Sequence, residues 1–341
     1  MSDEFSTRDV FDHKISRRGL LVGATAAAAS APLLSPLLDV SAAAPRFRKK
    51  SPVKIGYSIF DLKQPYWQAY LKGVQDQCKA QGIGLVYTDQ KSSEQAEVSG
   101  SINLINQGIS ALIVSPIEPP ALPAVITAAH KAQIPVTIGD VGVAGAYDAF
   151  VLSDNYGGGR LAAQYMVSKL GNKSGTKEIA ILLLHPGAAV GIPRSKGFLD
   201  EIAKHSGYKV VAQLNANDEV DKGYTVTKDI LSAHPNLAAI YACNDPMAEG
   251  AQQALKTAGK SGVKDVLLVG FNGDPPALQL IKSGAMAATI RQDPYGQGRT
   301  CVKVSTQLMN NKPVHFSDAK TRSVFFAVNV VDSANVAKYL K

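Results

Sequence analysis

From residue 53 onward the chain alternates, almost without a break, between short apolar runs rich in β-branched residues and segments with helical spacing. That alternation constrains the fold more than any other feature, because apolar runs separated by helices read as strands buried on both faces. One series has strands over residues 53–59, 84–87, 111–114 and 135–138, with helices over 65–81, 92–107 and 121–131, and ends near residue 152. A second has helices over 156–170, 194–205, 222–233, 246–258 and 275–283, and strands over 178–184, 209–213, 238–242 and 266–269. This βαβα order predicts mostly parallel sheets covered on both faces. A run at 287–290, a helix over 295–309 and a short strand near 324–328 follow. At 341 residues the chain is long enough for two such units, each with its own core.

Two strand ends stand out. Ala239-Ile240-Tyr241-Ala242-Cys243 runs into Asn244-Asp245-Pro246, and Leu267-Leu268-Val269-Gly270-Phe271 runs into Asn272-Gly273-Asp274-Pro275. Asp followed by Pro suits an N-cap and first helical position, so a helix is expected to start at each. Both Asn residues then lie just past the carboxyl end of a strand, where open α/β sheets bind ligands. Two such amides can converge on one polar molecule.

The Asn-Asp-x-Met-Ala-x-Gly-Ala segment at 244–251 and the Val-Gly-Phe-x-Gly segment at 269–273 resemble those of the ribose-type periplasmic sugar-binding proteins of bacterial ABC importers. The likeness runs from about Val53 to Lys341. It implies a periplasmic binding protein type I fold: two doubly wound parallel-sheet α/β lobes joined by three hinge strands. The hinges are expected near residues 152–153, 290–292 and 325–326. The N-terminal lobe would comprise 53–152 plus 291–325, and the C-terminal lobe 153–290 plus 326–341. The implied function is capture of a monosaccharide or polyol in an interlobe cleft and delivery to ABC permease subunits, without catalysis or a cofactor. A sensor that presents a sugar or furanose signal to a membrane chemoreceptor or histidine kinase is the alternative.

A sugar carries hydroxyls on its edge and C–H groups on its faces, so a cleft needs hydrogen-bond partners and aromatic surfaces. By the resemblance, Gln64 in Gln64-Pro65-Tyr66-Trp67 is a hydroxyl partner, and Tyr66 and Trp67 are stacking surfaces or else first-turn core residues. Asp140 occupies the family's sugar-binding Asp position and otherwise caps a turn. The Arg that commonly follows is Val141 here. Arg194, in the family's Arg-x-x-Gly-Phe helix start, can bridge ring oxygen and hydroxyl with its planar fork. Asn244, Asn272 and the hinge residue Gln292 complete the set. Asn272 replaces the Asp usual in ribose binders. Asp218 stands where an aromatic is usual, as a polar ligand contact or a solvated loop acid.

Composition narrows the alternatives. The net charge is +8, and residues 45–341 hold 32 basic and 23 acidic residues, but apart from Arg46-Phe47-Arg48-Lys49-Lys50 the basic residues are scattered and form no basic stripe or nucleic-acid recognition motif. Residues 1–44 read as a secretory signal that resembles the twin-arginine class. Arg17-Arg18 precedes an apolar run, and small residues near Ala43 and Ala44 suit cleavage, so the mature protein is expected in the periplasm. A twin-arginine-exported oxidoreductase is a further alternative. However, the Gly157-Gly158-Gly159 run lacks the rest of a dinucleotide fingerprint. Cys78, Cys243 and Cys301 read as buried hydrophobes, and no Cys-x-x-Cys or His-x-x-x-His spacing supports a metal.

Overall fold

The computed structural model describes Phe47 and residues 51–117, 122–142, 145–171, 175–186 and 188–340. The export segment expected over residues 1–44 lies outside the described residues. In chain order the strands are β1 (Lys54–Ile59), β2 (Gly84–Asp89), β3 (Ala111–Val114), β4 (Val136–Gly139), β5 (Ala149–Ser153), β6 (Lys177–Leu183), β7 (Tyr208–Asn215), β8 (Leu237–Ala242), β9 (Leu267–Asn272), β10 (Ala288–Arg291), β11 (Ser323–Phe326) and β12 (Asn329–Asp332). The helices are α1 (Pro65–Ala80), α2 (Glu94–Asn106), α3 (Leu122–Lys131), α4 (Asn155–Leu170), α5 (Gly191–Ile202), α6 (Val220–Ala233), α7 (Asp245–Thr257), α8 (Pro275–Lys282) and α9 (Pro294–Met309).

The strands form two sheets, in the orders β11-β5-β4-β3-β1-β2 and β12-β10-β9-β8-β6-β7. All pairs are parallel except β10 with β12. The central strands explain the continuous apolar runs: every residue of β3 and β4 is buried. Each sheet has its own apolar core. One face of the first is built on Tyr57, Tyr70 and Val74, its other face on Leu112, Leu122 and Ile138, and the second sheet's core on Phe198, Ile240 and Phe271.

Strand order reverses between β1 and β3 in the first lobe and between β6 and β8 in the second. A crevice opens at the carboxyl ends of strands at such a point. The chain passes between lobes three times. After β5 it enters α4, which packs on α5 and β9. After β10 it enters α9, which packs on α1 and β4, and after β11 it enters β12, which pairs with β10. β5 and β11 end in register with each other at Ser153 and Phe326, and β10 ends at Arg291.

Two local expectations are corrected. The single strand expected near residues 324–328 is two strands in different sheets, β11 and the antiparallel edge strand β12. The first helix after β8 is capped by Asn244 and not by Asp245: the Asn244 Oδ1 accepts from Met247 N at 3.0 Å, and Asp245 becomes the first helical residue. Asn is as good a cap as Asp, and Asp245 finds better partners inside the protein.

Candidate ligand-binding site

The strand ends bring most of the sequence-predicted residues into one hydrogen-bonded path. Asp140 directly follows β4, and the Tyr66 hydroxyl from the first turn of α1 donates to its Oδ1 at 2.7 Å. Gln297, in the first turn of α9, donates from Nε2 to the Tyr66 oxygen at 3.1 Å and to Ser153 Oγ at 3.0 Å. Ser153 Oγ donates to Gln292 Oε1 at 2.8 Å, and Gln292 Nε2 donates to Asn272 Oδ1 at 3.0 Å. Asn272 Nδ2 donates in turn to Asp274 Oδ2 at 3.0 Å.

Arg194 enters the same path from α5. Its Nη1 donates to Asn272 Oδ1 at 3.3 Å and to the Cys243 carbonyl at 2.9 Å, and its Nε donates to Asn155 Oδ1 at 2.8 Å. The guanidinium lies 3.8 Å from the centroid of the Phe271 ring, a cation–π contact, and Arg194 is only 5% exposed. Asn244 spends its carbonyl on the helix cap, which leaves its amide nitrogen as the group free to donate. Its Nδ2 lies 3.5 Å from Asp218 Oδ1. His185 lies 3.5 Å from the other oxygen of Asp218.

Gln64 and Trp67 stand apart from this path. Gln64 is exposed and caps α1 by its backbone position alone. Trp67 is 4% exposed, with Phe60 stacked on it at 5.3 Å between centroids and Tyr66 edge-on at 5.0 Å. The partly buried ring of Phe60 therefore covers the indole face.

Asp140, Asp218 and Asn272 have φ of +68°, +67° and +135°, positive values that Asn and Asp adopt more readily than other L-residues. The turn at Asn272 is held by Asp245, whose Oδ2 accepts from Gly273 N and Asp274 N, both at 2.8 Å, while its Oδ1 accepts from Thr289 Oγ1 at 2.7 Å. Around Asp218, Asn217 and Asp218 are the two central residues of a turn closed by Glu219 N on Ala216 O at 3.1 Å.

Electrostatics set the roles. Burial raises the Asp140 pKa, and the Tyr66 hydrogen bond and the Arg194 charge pull it back. Burial and the Asp140 charge hold the Tyr66 hydroxyl well above the usual range, so it stays a donor. Burial likewise raises Asp218 and Asp274, with the Arg194 charge opposing the rise in both. Burial pushes Cys243 and Cys301 up to about 12, which leaves both thiols un-ionised and unreactive at neutral pH. Among the described residues no group of three His, Cys, Asp or Glu side chains could hold a metal ion, and no helix is long and apolar enough to cross a membrane.

Asp245 is fully buried, and desolvation followed by repulsion from Asp274 pushes it up to about 7 from an ordinary 3.8. Between those values the native state binds more protons than the unfolded chain, so stability falls as pH rises and levels off above about 7. Glu201 acts oppositely at lower pH. Lys204 holds it down to about 2, so its contribution is present above 4.5 and lost on acidification towards 2. Urea unfolding of the ligand-free protein should therefore give greater stability at pH 5 than at pH 8. Equal stability at the two pH values would remove Asp245 as a proton-binding group.

The sequence assigns none of Ser153, Asn155, Asp245, Asp274 and Gln297 to the ligand site: it places Ser153 at a hinge and reads Asp245 and Asp274 as helix caps, while Asn155 and Gln297 lie in helix starts.

A family model for a periplasmic binding protein domain matches residues 55–313. The ribose import binding protein of Bacillus subtilis (strain 168) is 31% identical over 78% of this chain and 84% of its own length. Among solved structures, an ABC transporter periplasmic solute binding protein from Actinobacillus succinogenes 130z with bound D-allose has a TM-score of 0.73 at 28% identity, covering 84% of this chain and all of its own. A solute binding protein from Bacillus halodurans C-125 with bound myo-inositol has a TM-score of 0.71 at 27% identity, covering 84% of this chain and 96% of its own. Paired parallel sheets, polar residues at their carboxyl ends and these likenesses agree: the chain belongs to the ribose-type group of periplasmic binding proteins.

Proposed function

We propose that the protein binds a monosaccharide or polyol between its lobes and delivers it to the permease of an ABC importer. The observation that carries this reading is the unbroken hydrogen-bonded path from Asp140 through Ser153 and Gln292 to Asn272 and Arg194, which joins strand ends of both lobes. A polyhydroxylated ligand needs acceptors and donors on opposite sides, and these residues supply them. Asp140 offers the carboxylate oxygen that Tyr66 does not use, Asp218 a second carboxylate, and Asn244 and Arg194 offer N–H donors. Phe60 and Tyr66, backed by Trp67, supply aromatic surface for C–H faces, and Gln64 lies at the rim.

A ligand held by both lobes stabilises the arrangement in which they close on it, by bending at the three crossings. The two bodies would be residues 53–152 with 291–325 and residues 153–290 with 326–341. The Arg17-Arg18 leader, cleaved near Ala43 or Ala44, would place the protein in the periplasm, where it acts without catalysis or a cofactor.

Thermal unfolding of ligand-stripped protein against D-ribose, D-allose, myo-inositol, alditols and nucleotides tests the reading. A cognate ligand at 100 times its dissociation constant should add about 2.7 kcal/mol, and Asp140→Ala should abolish the shift. A shift with a nucleotide and with no sugar or polyol would overturn the ligand class.

A further inference from the structure

Gln297 is fully buried in the first turn of α9, and only its amide end is hydrogen-bonded. Both bonds run outward from Nε2, one to the Tyr66 hydroxyl and one to the Ser153 hydroxyl. Its Oε1 accepts no hydrogen bond from any described residue. A buried acceptor without a donor lowers stability, so the side chain's contribution must lie in its N–H groups. Turning the amide over is no remedy. Each hydroxyl has a single proton, and those of Tyr66 and Ser153 are already given to Asp140 and Gln292.

We infer that Gln297 is a positioning residue for the ligand site: its two N–H groups set the donor direction of every hydrogen bond between Asp140 and Asn272. From Gln297 one arm runs through Tyr66 to Asp140, and the other through Ser153 and Gln292 to Asn272. With the direction set, Tyr66 is occupied as a donor to one Asp140 oxygen, and the ligand meets the other. The Asn272 carbonyl is filled by Gln292 and Arg194, so Asn272 meets the ligand through an N–H. An oxygen with lone pairs facing β9 and a hydroxyl proton facing β4 is then the preferred ligand pattern. Gln297 also ties Ser153, at the first lobe crossing, to its own position just after the second.

The inference rests on the site reading above, and the experiment separates the two. Binding of D-ribose, D-allose and myo-inositol is measured calorimetrically for wild type, Gln297→Met, Gln297→Glu and Asp140→Ala. Gln297→Met keeps the length and removes the orphan acceptor but takes the N–H donors from the Tyr66 and Ser153 oxygens, so it should weaken binding by about tenfold or more while its unfolding curve shows it still folded at the titration temperature. Gln297→Glu should weaken it further, because its carboxylate draws the Tyr66 and Ser153 protons away from Asp140 and Gln292. Wild-type affinity in Gln297→Met, with binding lost in Asp140→Ala, would overturn the inference and leave the site standing.

If wild type binds none of the three probes, the same comparison is made with whichever alditol or other sugar shifts wild-type unfolding; if no sugar or polyol does, the site reading fails on its own and ligand-free unfolding decides the inference. Gln297→Met and Ser153→Ala should then be non-additive by about fivefold or more in the unfolding equilibrium constant, and additivity would overturn it.

Discussion

Arg194→Met is expected to weaken ligand binding by roughly 100-fold and to lower stability by about 2–4 kcal/mol. The side chain donates to Asn155, Asn272 and the Cys243 carbonyl, all from a position that is 5% exposed. Methionine fills similar space over Phe271 but supplies no donor, so Asn155 Oδ1 and the Cys243 carbonyl lose their partner in a site closed to water. It also removes a positive charge that opposes the raised pKa of Asp140, Asp218 and Asp274. Those carboxyls should then titrate still higher, so the variant should regain part of its stability when the pH is lowered towards 5. Arg194→Lys should recover the charge but not the affinity, because one ammonium cannot span three acceptors. Calorimetric titration with the cognate ligand and urea unfolding at pH 5 and pH 8 check both parts. Wild-type affinity in the methionine variant would mean that Arg194 holds α5 in place and does not touch ligand.

The second large effect is expected at the contact between α4 and α5. A Cβ at Gly197 would fall on the Tyr156 carbonyl, and one at Gly159 on the Arg194 carbonyl. The same reciprocal arrangement joins α1 to α9 through Gly73 and Gly298, and α6 to α7 through Gly223 and Gly250. Each pair of helices approaches so closely that backbone meets backbone, and a side chain there can only push them apart. Gly197→Val should cost about 3 kcal/mol or more, against less than about 0.5 kcal/mol for Gly207→Ala, where a methyl group meets nothing within 4 Å. Because Gly197 lies one turn beyond Arg194, even the milder Gly197→Ala should weaken ligand binding as well as stability. A Gly197→Ala variant with altered stability and unchanged affinity would show that α5 yields without moving Arg194.

Much of the molecule could be read before any coordinate was known. The runs that became β1, β3, β4, β8 and β9 are apolar at successive positions because both faces of those strands are covered, and that pattern is local. Asn244 and Asn272 stood out for the same reason, since an abrupt change from apolar to polar marks the strand end, whereas Asp140 was picked out by the family resemblance. Strand β12 was not legible, since Asn329-Val330-Val331-Asp332 carries too short a run to be told from the β11 strand before it. Its pairing with β10 depends on a chain reversal between sheets. The exchange of roles at Asn244 and Asp245 was hidden too, because both residue types cap helices well. Only the position of Gly273, Asp274 and Thr289 makes the buried carboxylate the better use of Asp245.

What the sequence determined by itself is therefore what short-range physics encodes: the period of burial along each element, the chemistry of the caps and the strand-end places where polar groups collect. The tertiary structure alone decided which of those groups meet and in which sense they bond. Ser153, Gln292 and Gln297 come together only because the chain crosses between lobes after β5 and again after β10, and Ser153 and Gln292 are 139 residues apart. Hydrogen-bond direction depends on where each neighbour's proton is already committed, and the pKa of a carboxyl depends on how much water surrounds it. Both are properties of the packed interior, which no local stretch of residues contains.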